Sequence, residues 1–255
     1  MKLDFTYVDA FLQDCLSETS IQDYVQHYQT PDPKRKDVVV ELKKQLEIIV
    51  DEFPHFNHDL WHELFQDQVS LLDRITILPV VGEQKVYSRT IKEENHYIIV
   101  LDLHLIANFT PIISQMVYIL QNHLTCEITK LVIADRYPLT EKTYMSLLDH
   151  MTFTHGLANW LAWNQNCKDY KFYTEQYEKH KEEAFGMLAQ AMSLEDKSVQ
   201  FRLIQSVLNR DLWEQFPTIA GLFFFDDVFR EVGKEGIFYL YKHGPTNFIS
   251  LIFHS

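Results

Sequence analysis

The stretches "RITILPVV" (74–81) and "HYIIVLDLHL" (96–105) separate this chain from an all-helical protein. Both are short and rich in Ile and Val, the composition of strands in a small sheet. The polar spacer between them, "GEQKVYSRTIKEEN" (82–95), reads as a connection. On either side the apolar residues recur at helical spacing. Ahead of the sheet lie "VVVELKKQLEIIVDEF" (38–53) and "NHDLWHELFQDQVSLL" (57–72), the second with Asn57 as its expected N-cap.

Beyond residue 109 nearly everything predicts helix. "TPIISQMVYILQNHL" (110–124) offers Thr110 as cap and Pro111 at the first helical position, with Ile113, Met116, Val117, Leu120 and Leu124 on one stripe. "CEITKLVIADRYP" (126–138) fits strand or helix equally. The segment "LTEKTYMSLLDHMTFTHGLANWLAWNQN" (139–166), with Thr140 as expected cap, is apolar on two faces, as in a helix buried in the middle of a domain. Helices are also expected over 170–192, 195–211 and 216–233, with a final pair ending "GIFYLYKHGPTNFISLIF" (236–253). The expected class is therefore α+β, mainly helical, with a small sheet on the N-terminal side packed on a helical lobe. The expected division is an N-terminal helical segment, 1–73, followed by 74–255, both within one compact unit.

Composition narrows the function. Thirty-six acids against 23 Lys and Arg leave a formal charge of −13, which disfavours nucleic acid and anionic membrane surfaces as partners. The local basic run "PDPKRKD" (31–37) reads as a solvated helix start. Cys15, Cys126 and Cys167 are widely spaced and make no CxxC pair, as expected of a reducing compartment. Acids within the first apolar stretch argue against a secretory signal, and no run is long and apolar enough to span a bilayer. A cytoplasmic setting is expected.

Among motifs, "HDLWH" places His58 and His62 at i and i+4, on one helix face and within reach of one metal ion, with Asp59 able to polarise a bound water. Twelve histidines in 255 residues produce about 0.6 such pairs by chance, so the spacing says little by itself. Its polar surroundings suit the rim of an amphipathic helix. Asp226 and Asp227 point about 100° apart on a helix and read as its exposed edge. Neither GxSxG, a P-loop nor GxGxxG occurs.

The order of a small sheet, an apolar helix, a second buried helix with a G-L-A step and a helical lobe resembles the gluzincin metallopeptidases. Their first helix carries HExxH, and a glutamate on a later helix supplies the third zinc ligand. Here "HGLANWLAW" (155–163) is similar to that later helix, with His155 at the glutamate position, and "IISQMVYILQNHL" (112–124) is similar to the HExxH helix. The alignment puts Ser114 and Tyr118 at the ligand positions and Gln115 at the base. "FYLYKHGPTNFISLI" resembles the closing helices.

The resemblance implies a zincin-like lobe that has lost its chemistry. Catalytic zinc needs about three protein ligands, and a glutamine amide does not accept a proton near neutral pH. The expected protein is a pseudo-peptidase with no metal or other cofactor, whose remaining cleft, lined by Ser114, Gln115, Tyr118 and His155, binds a peptide or protein. A metal-dependent hydrolase using His58 and His62 is the alternative. A helical interaction module unrelated to peptidases is the third reading.

Overall fold

Ile75, Ile77, Leu78 and Val80 are all buried in the strand Ile75–Val80, so both of its faces are covered. Burial on both faces is the condition under which parallel pairing is stable, and this strand has parallel neighbours on both sides. The computed structural model describes residues 1–83, 85–208 and 211–254. Its four-stranded sheet is formed by β1 (Lys2–Leu3), β2 (Ile75–Val80), β3 (Ser88–Glu93) and β4 (His96–Asp102), in the order β1-β2-β4-β3. β3 joins β4 antiparallel and is an edge strand.

The sequence hid two of these strands. β1 is too short to show a period. β3 lies inside the polar spacer, where Ile91 is its one large apolar residue. An edge strand needs only one covered face and carries charge on the other, so it does not look like a buried strand. The expected strand over 96–105 ends at Asp102, whose carboxylate accepts from Leu105 N–H at 2.6 Å and caps a new helix.

The helices are α1 (Thr6–Leu12), α2 (Glu18–Ile21), α3 (Lys36–Asp51), α4 (His58–Phe65), α5 (Leu103–Phe109), α6 (Ile113–Arg136), α7 (Tyr144–Leu161), α8 (Glu175–Met192), α9 (Lys197–Leu208), α10 (Phe216–Val232), α11 (Lys234–His243) and α12 (Phe248–His254). With 66% of the chain helical beside one small mixed sheet, the class is α+β, mainly helical. The ambiguous stretch 126–138 continues α6 to Arg136. α7 starts at Tyr144, with Thr143 rather than Thr140 as the cap, its hydroxyl accepting from Ser146 N–H. α6 likewise starts at Ile113, beyond Pro111. Asn57 does occupy the N-cap of α4, in the left-handed region and without a side-chain capping bond. The expected helix end at 211 takes in Asn209 and Arg210, which lie outside the described residues. Among the described residues no helix is long and apolar enough to cross a membrane.

Two compact units divide the chain, 1–58 with 65–127, and 59–64 with 128–255. The expected boundary at 73/74 falls inside the first unit, because β2 pairs with the N-terminal β1 and Ile77 O accepts from Asp4 N–H. There Leu78, Val80, Ile98 and Val100 present one sheet face to Ile21 and Val25, with Ile91 packed alongside. The opposite alternation, Ile75, Ile77, Ile99 and Leu101, is buried on the other face. In α3, Val39, Leu42, Leu46 and Ile49 form the buried stripe of an amphipathic helix.

The second unit is organised by α7 and α10. They meet at Gly156 and Gly221, where a Cβ on Gly156 would sit 2.6 Å from Gly221 Cα and one on Gly221 only 1.9 Å from Thr152 O. The G-L-A step thus has a packing reason of its own: only hydrogen lets the two backbones approach so closely. Around the crossing, Phe153 meets Phe225, Phe248 and Tyr137 edge-on at 5.7, 5.0 and 6.0 Å. Gly221→Ala should cost about 3 kcal/mol or more through a clash with backbone that cannot step aside. Gly186→Ala, in α8 with open space beside it, should instead gain roughly 0.5–1 kcal/mol. Urea denaturation midpoints of the two variants should move in opposite directions.

Candidate functional site

The chemistry of the first unit gathers at two places on its sheet. The first lies beyond the carboxyl ends of the parallel strands β2 and β4. Asp102 ends β4 and is buried, its oxygens accepting from Leu105 N–H and, at 2.7 Å, from Glu83 N–H. Glu83, also buried, turns its own carboxylate to the N-terminal segment, accepting from Gln26 N–H at 2.7 Å and His27 N–H at 3.2 Å, with His27 Nδ1 at 3.2 Å. His104, on the first turn of α5, accepts from Asp32 N–H through Nε2 at 2.9 Å. Burial pushes the Asp102 carboxyl up to about 7, against the backbone N–H donors that favour its charged form, and the nearby Glu83 charge pushes the same way. Burial also holds His104 below the usual imidazole range, which suits its role as an acceptor.

The space beside these carboxylates, between Tyr24, Val86 and Arg89, is about 10 Å³. That is about one water, too small for a ligand. Two buried carboxylates here tie three segments together, the chain at 26–27, the turn after β2 and the start of α5, and His104 adds the chain at Asp32.

The second place is the start of β3. Ser88 and Thr90 are two apart on the strand and therefore share a face. Glu127 on α6 takes both hydroxyls, Ser88 Oγ–H at 3.2 Å and Thr90 Oγ1–H at 2.9 Å. His123, one helical turn earlier, places Nδ1 2.9 Å from Ser88 Oγ. The imidazole lies flat against Tyr87 at 5.4 Å, and Tyr87 meets Phe109 edge-on at 6.2 Å. Phe109 is 65% exposed, so the cluster ends in an aromatic surface.

A serine oxygen and an imidazole at this distance have the spacing of an activated hydroxyl. Here the Ser88 hydroxyl donates to Glu127, which also holds Thr90, so its proton is directed to the carboxylate. The group fastens the edge strand to α6 from one face of the strand, and among the described strands β3 pairs with β4 alone. "HLTCE" (123–127) carried the signal, a His and a Glu one turn apart on one helix face. Asp102 before a helical run was likewise readable as an N-cap.

The expected cleft residues fall as follows. Ser114, Gln115 and Tyr118 occupy the first two turns of α6, are exposed and belong to the first unit. Gln115 Oε1 accepts from Thr110 Oγ1–H at 2.6 Å, and the Tyr118 ring lies 5.3 Å from that of Phe56. His155 is half-buried on α7, in the second unit, where its carbonyl accepts from Asn159 Nδ2–H at 2.8 Å. His58 is exposed and His62 half-buried, edge-on to Trp61 at 5.7 Å. Among the described residues no three His, Cys, Asp or Glu side chains are grouped to hold a metal ion.

Asp226 corrects the sequence reading. It is buried rather than exposed, paired with Arg230 and receiving the Trp160 indole N–H at 3.4 Å. Asp227, on the next face as expected, binds Lys181 at 2.7 Å. Arg230 also donates to Tyr170 O at 2.7 Å, so the ion pair anchors the loop ahead of α8.

Two outcomes test these assignments. Because the folded Asp102 carboxyl titrates near 7 and the unfolded one near 3.8, the folded state binds more protons between those values. Its contribution to stability therefore falls as pH rises through that window, by up to about 1.4 kcal/mol per pH unit, and is flat above it. Unfolding free energies of the native protein and Asp102→Asn at pH 5, 6, 7 and 8 should diverge accordingly. Elemental analysis of dialysed protein should find no stoichiometric zinc, with or without His58→Ala/His62→Ala. Zinc lost only in that double variant would make the pair a metal site. The chain matches no family model, no curated protein and no solved structure, so its own residues alone bear on its function.

Proposed function

We propose that this chain is a non-catalytic, gluzincin-like binding module that takes an extended peptide segment along the open edge of β3. The observation that carries this reading is the edge strand itself. β3 pairs only with β4 among the described strands, so one row of its N–H and C=O groups is available to a further strand. Ser88 and Thr90 fix the strand from its covered face through Glu127. Tyr87 and the exposed Phe109 supply apolar area at its start.

The non-catalytic part rests on donor chemistry. Serine, glutamine and tyrosine at 114, 115 and 118 do not supply the ligands and base of HExxH chemistry. A cytoplasmic setting belongs to the same proposal and is supported by the wide spacing of Cys15, Cys126 and Cys167, which make no CxxC pair. The partner is a peptide or protein rather than nucleic acid or membrane, in keeping with the net charge of −13.

Hydrogen exchange of the full chain against an array of unstructured peptides tests the reading. Bound peptides should protect the amides of residues 88–93 and remain uncleaved. Peptide hydrolysis that a chelator abolishes would overturn it, as would binding that leaves those amides unprotected.

A further inference from the structure

A groove of about 730 Å³ in the second unit lies between the start of α7 and one face of α9. From α9 it is lined by Lys197, Phe201 and Ile204, and from the other side by Lys142, Met145 and Leu147. Residues 197, 200, 201, 204 and 205 recur at i, i+3, i+4, i+7 and i+8, the stripe by which an amphipathic helix covers a partner. Here the stripe is left partly uncovered. Phe201 is 67% exposed and Met145 36%.

Charge indicates what covers it. The chain has 36 acids and a net charge of −13, yet the ten residues lining the groove include two lysines and no carboxylate. Among the described residues neither Lys142 nor Lys197 forms an ion pair. The carboxylate next to Lys197, that of Asp196, is turned onto its own helix start and accepts from Ser198 N–H, Ser198 Oγ–H and Val199 N–H. An apolar floor lined also by two lysines and no carboxylate, on an otherwise acidic chain, is complementary to an apolar segment that carries carboxylates.

We propose that this groove docks an amphipathic acidic helix of a partner protein, its apolar residues against Phe201 and Met145 and its carboxylates meeting Lys142 and Lys197. The site is separate from the β3 edge and does not depend on the function proposed for it.

The test uses the full chain and a displayed library of helix-forming peptides of about 16 residues, long enough for four turns. Enriched sequences should combine apolar residues at helical spacing with flanking Asp or Glu. Fluorescence anisotropy of the best peptide should weaken by about tenfold or more with Phe201→Ala, a truncation of the size seen for anchor residues. Lys142→Glu/Lys197→Glu should weaken it similarly and should restore binding to the same peptide with its acids replaced by lysine. An unchanged thermal midpoint in each variant keeps folding out of the comparison.

Enrichment of neutral or basic sequences, or affinity indifferent to Phe201→Ala, would overturn the proposal. So would binding of laurate without binding of any peptide, or self-association of the chain that Phe201→Ala abolishes. Those last outcomes would assign the groove to an acyl chain or to a second copy.

Discussion

The close approach of α7 and α10 is the constraint on which the second unit is built. Glycine at 156 and 221 removes the two Cβ atoms that would hold the backbones apart, and the gain is collective. At that separation many weak dispersion contacts form along both helices. The aromatic residues above the crossing, Phe153, Phe225 and Phe248, interlock because the helix axes are already fixed. Asp149 then adds a polar fixing point, accepting from Ile249 N–H at 2.8 Å at the start of α12. Its carboxyl is raised by burial, partly offset by the backbone N–H groups of residues 247–249. Apolar packing sets the geometry, and buried carboxylates fasten chain ends to it.

The first unit follows the same logic with different parts. Its sheet is small, and a β-strand of two residues could not hold the N-terminal segment by pairing alone. Glu83 and Asp102 add the missing connections, each accepting backbone N–H groups from other segments. Leaving such donors unsatisfied in the interior would cost roughly 1–3 kcal/mol each. This explains why an acid with a strongly raised pKa persists there: its donors need an acceptor more than the site needs neutrality.

Much of this architecture was legible in the sequence. The Ile- and Val-rich stretches marked β2 and β4, and the two-faced apolar pattern of 144–162 marked a helix buried at the centre of its unit. What escaped reading was set by tertiary contact. Ser88–Glu93 looks like a polar loop until a partner strand is known. Asp226 beside Asp227 looks exposed until Arg230 and the Trp160 indole are seen beside it. Glu83 and Asp102, 19 residues apart, give no local sign that they meet. His123 and Glu127 were readable as a helical pair, but Ser88, their partner from the sheet, was not. His58 with His62 follows helical spacing without gathering a third donor among the described residues.

The two-sided burial of α7 has a consequence for how the chain is made. Much of what covers it within its unit comes later in the sequence: Tyr170 against Trp160, then α10, then Phe248 of α12, whereas Tyr137 against Phe153 precedes it. A ribosome adding about 5–20 residues per second needs roughly 3–13 s to travel from Gly156 to Gly221. During that interval the helix is synthesised but the surface that α10 and α12 cover remains without them. The emerging chain therefore presents Phe153, Leu157 and Trp160 to its surroundings for seconds, an interval that holding chaperones would cover and in which a stalled ribosome would leave the chain most prone to aggregate.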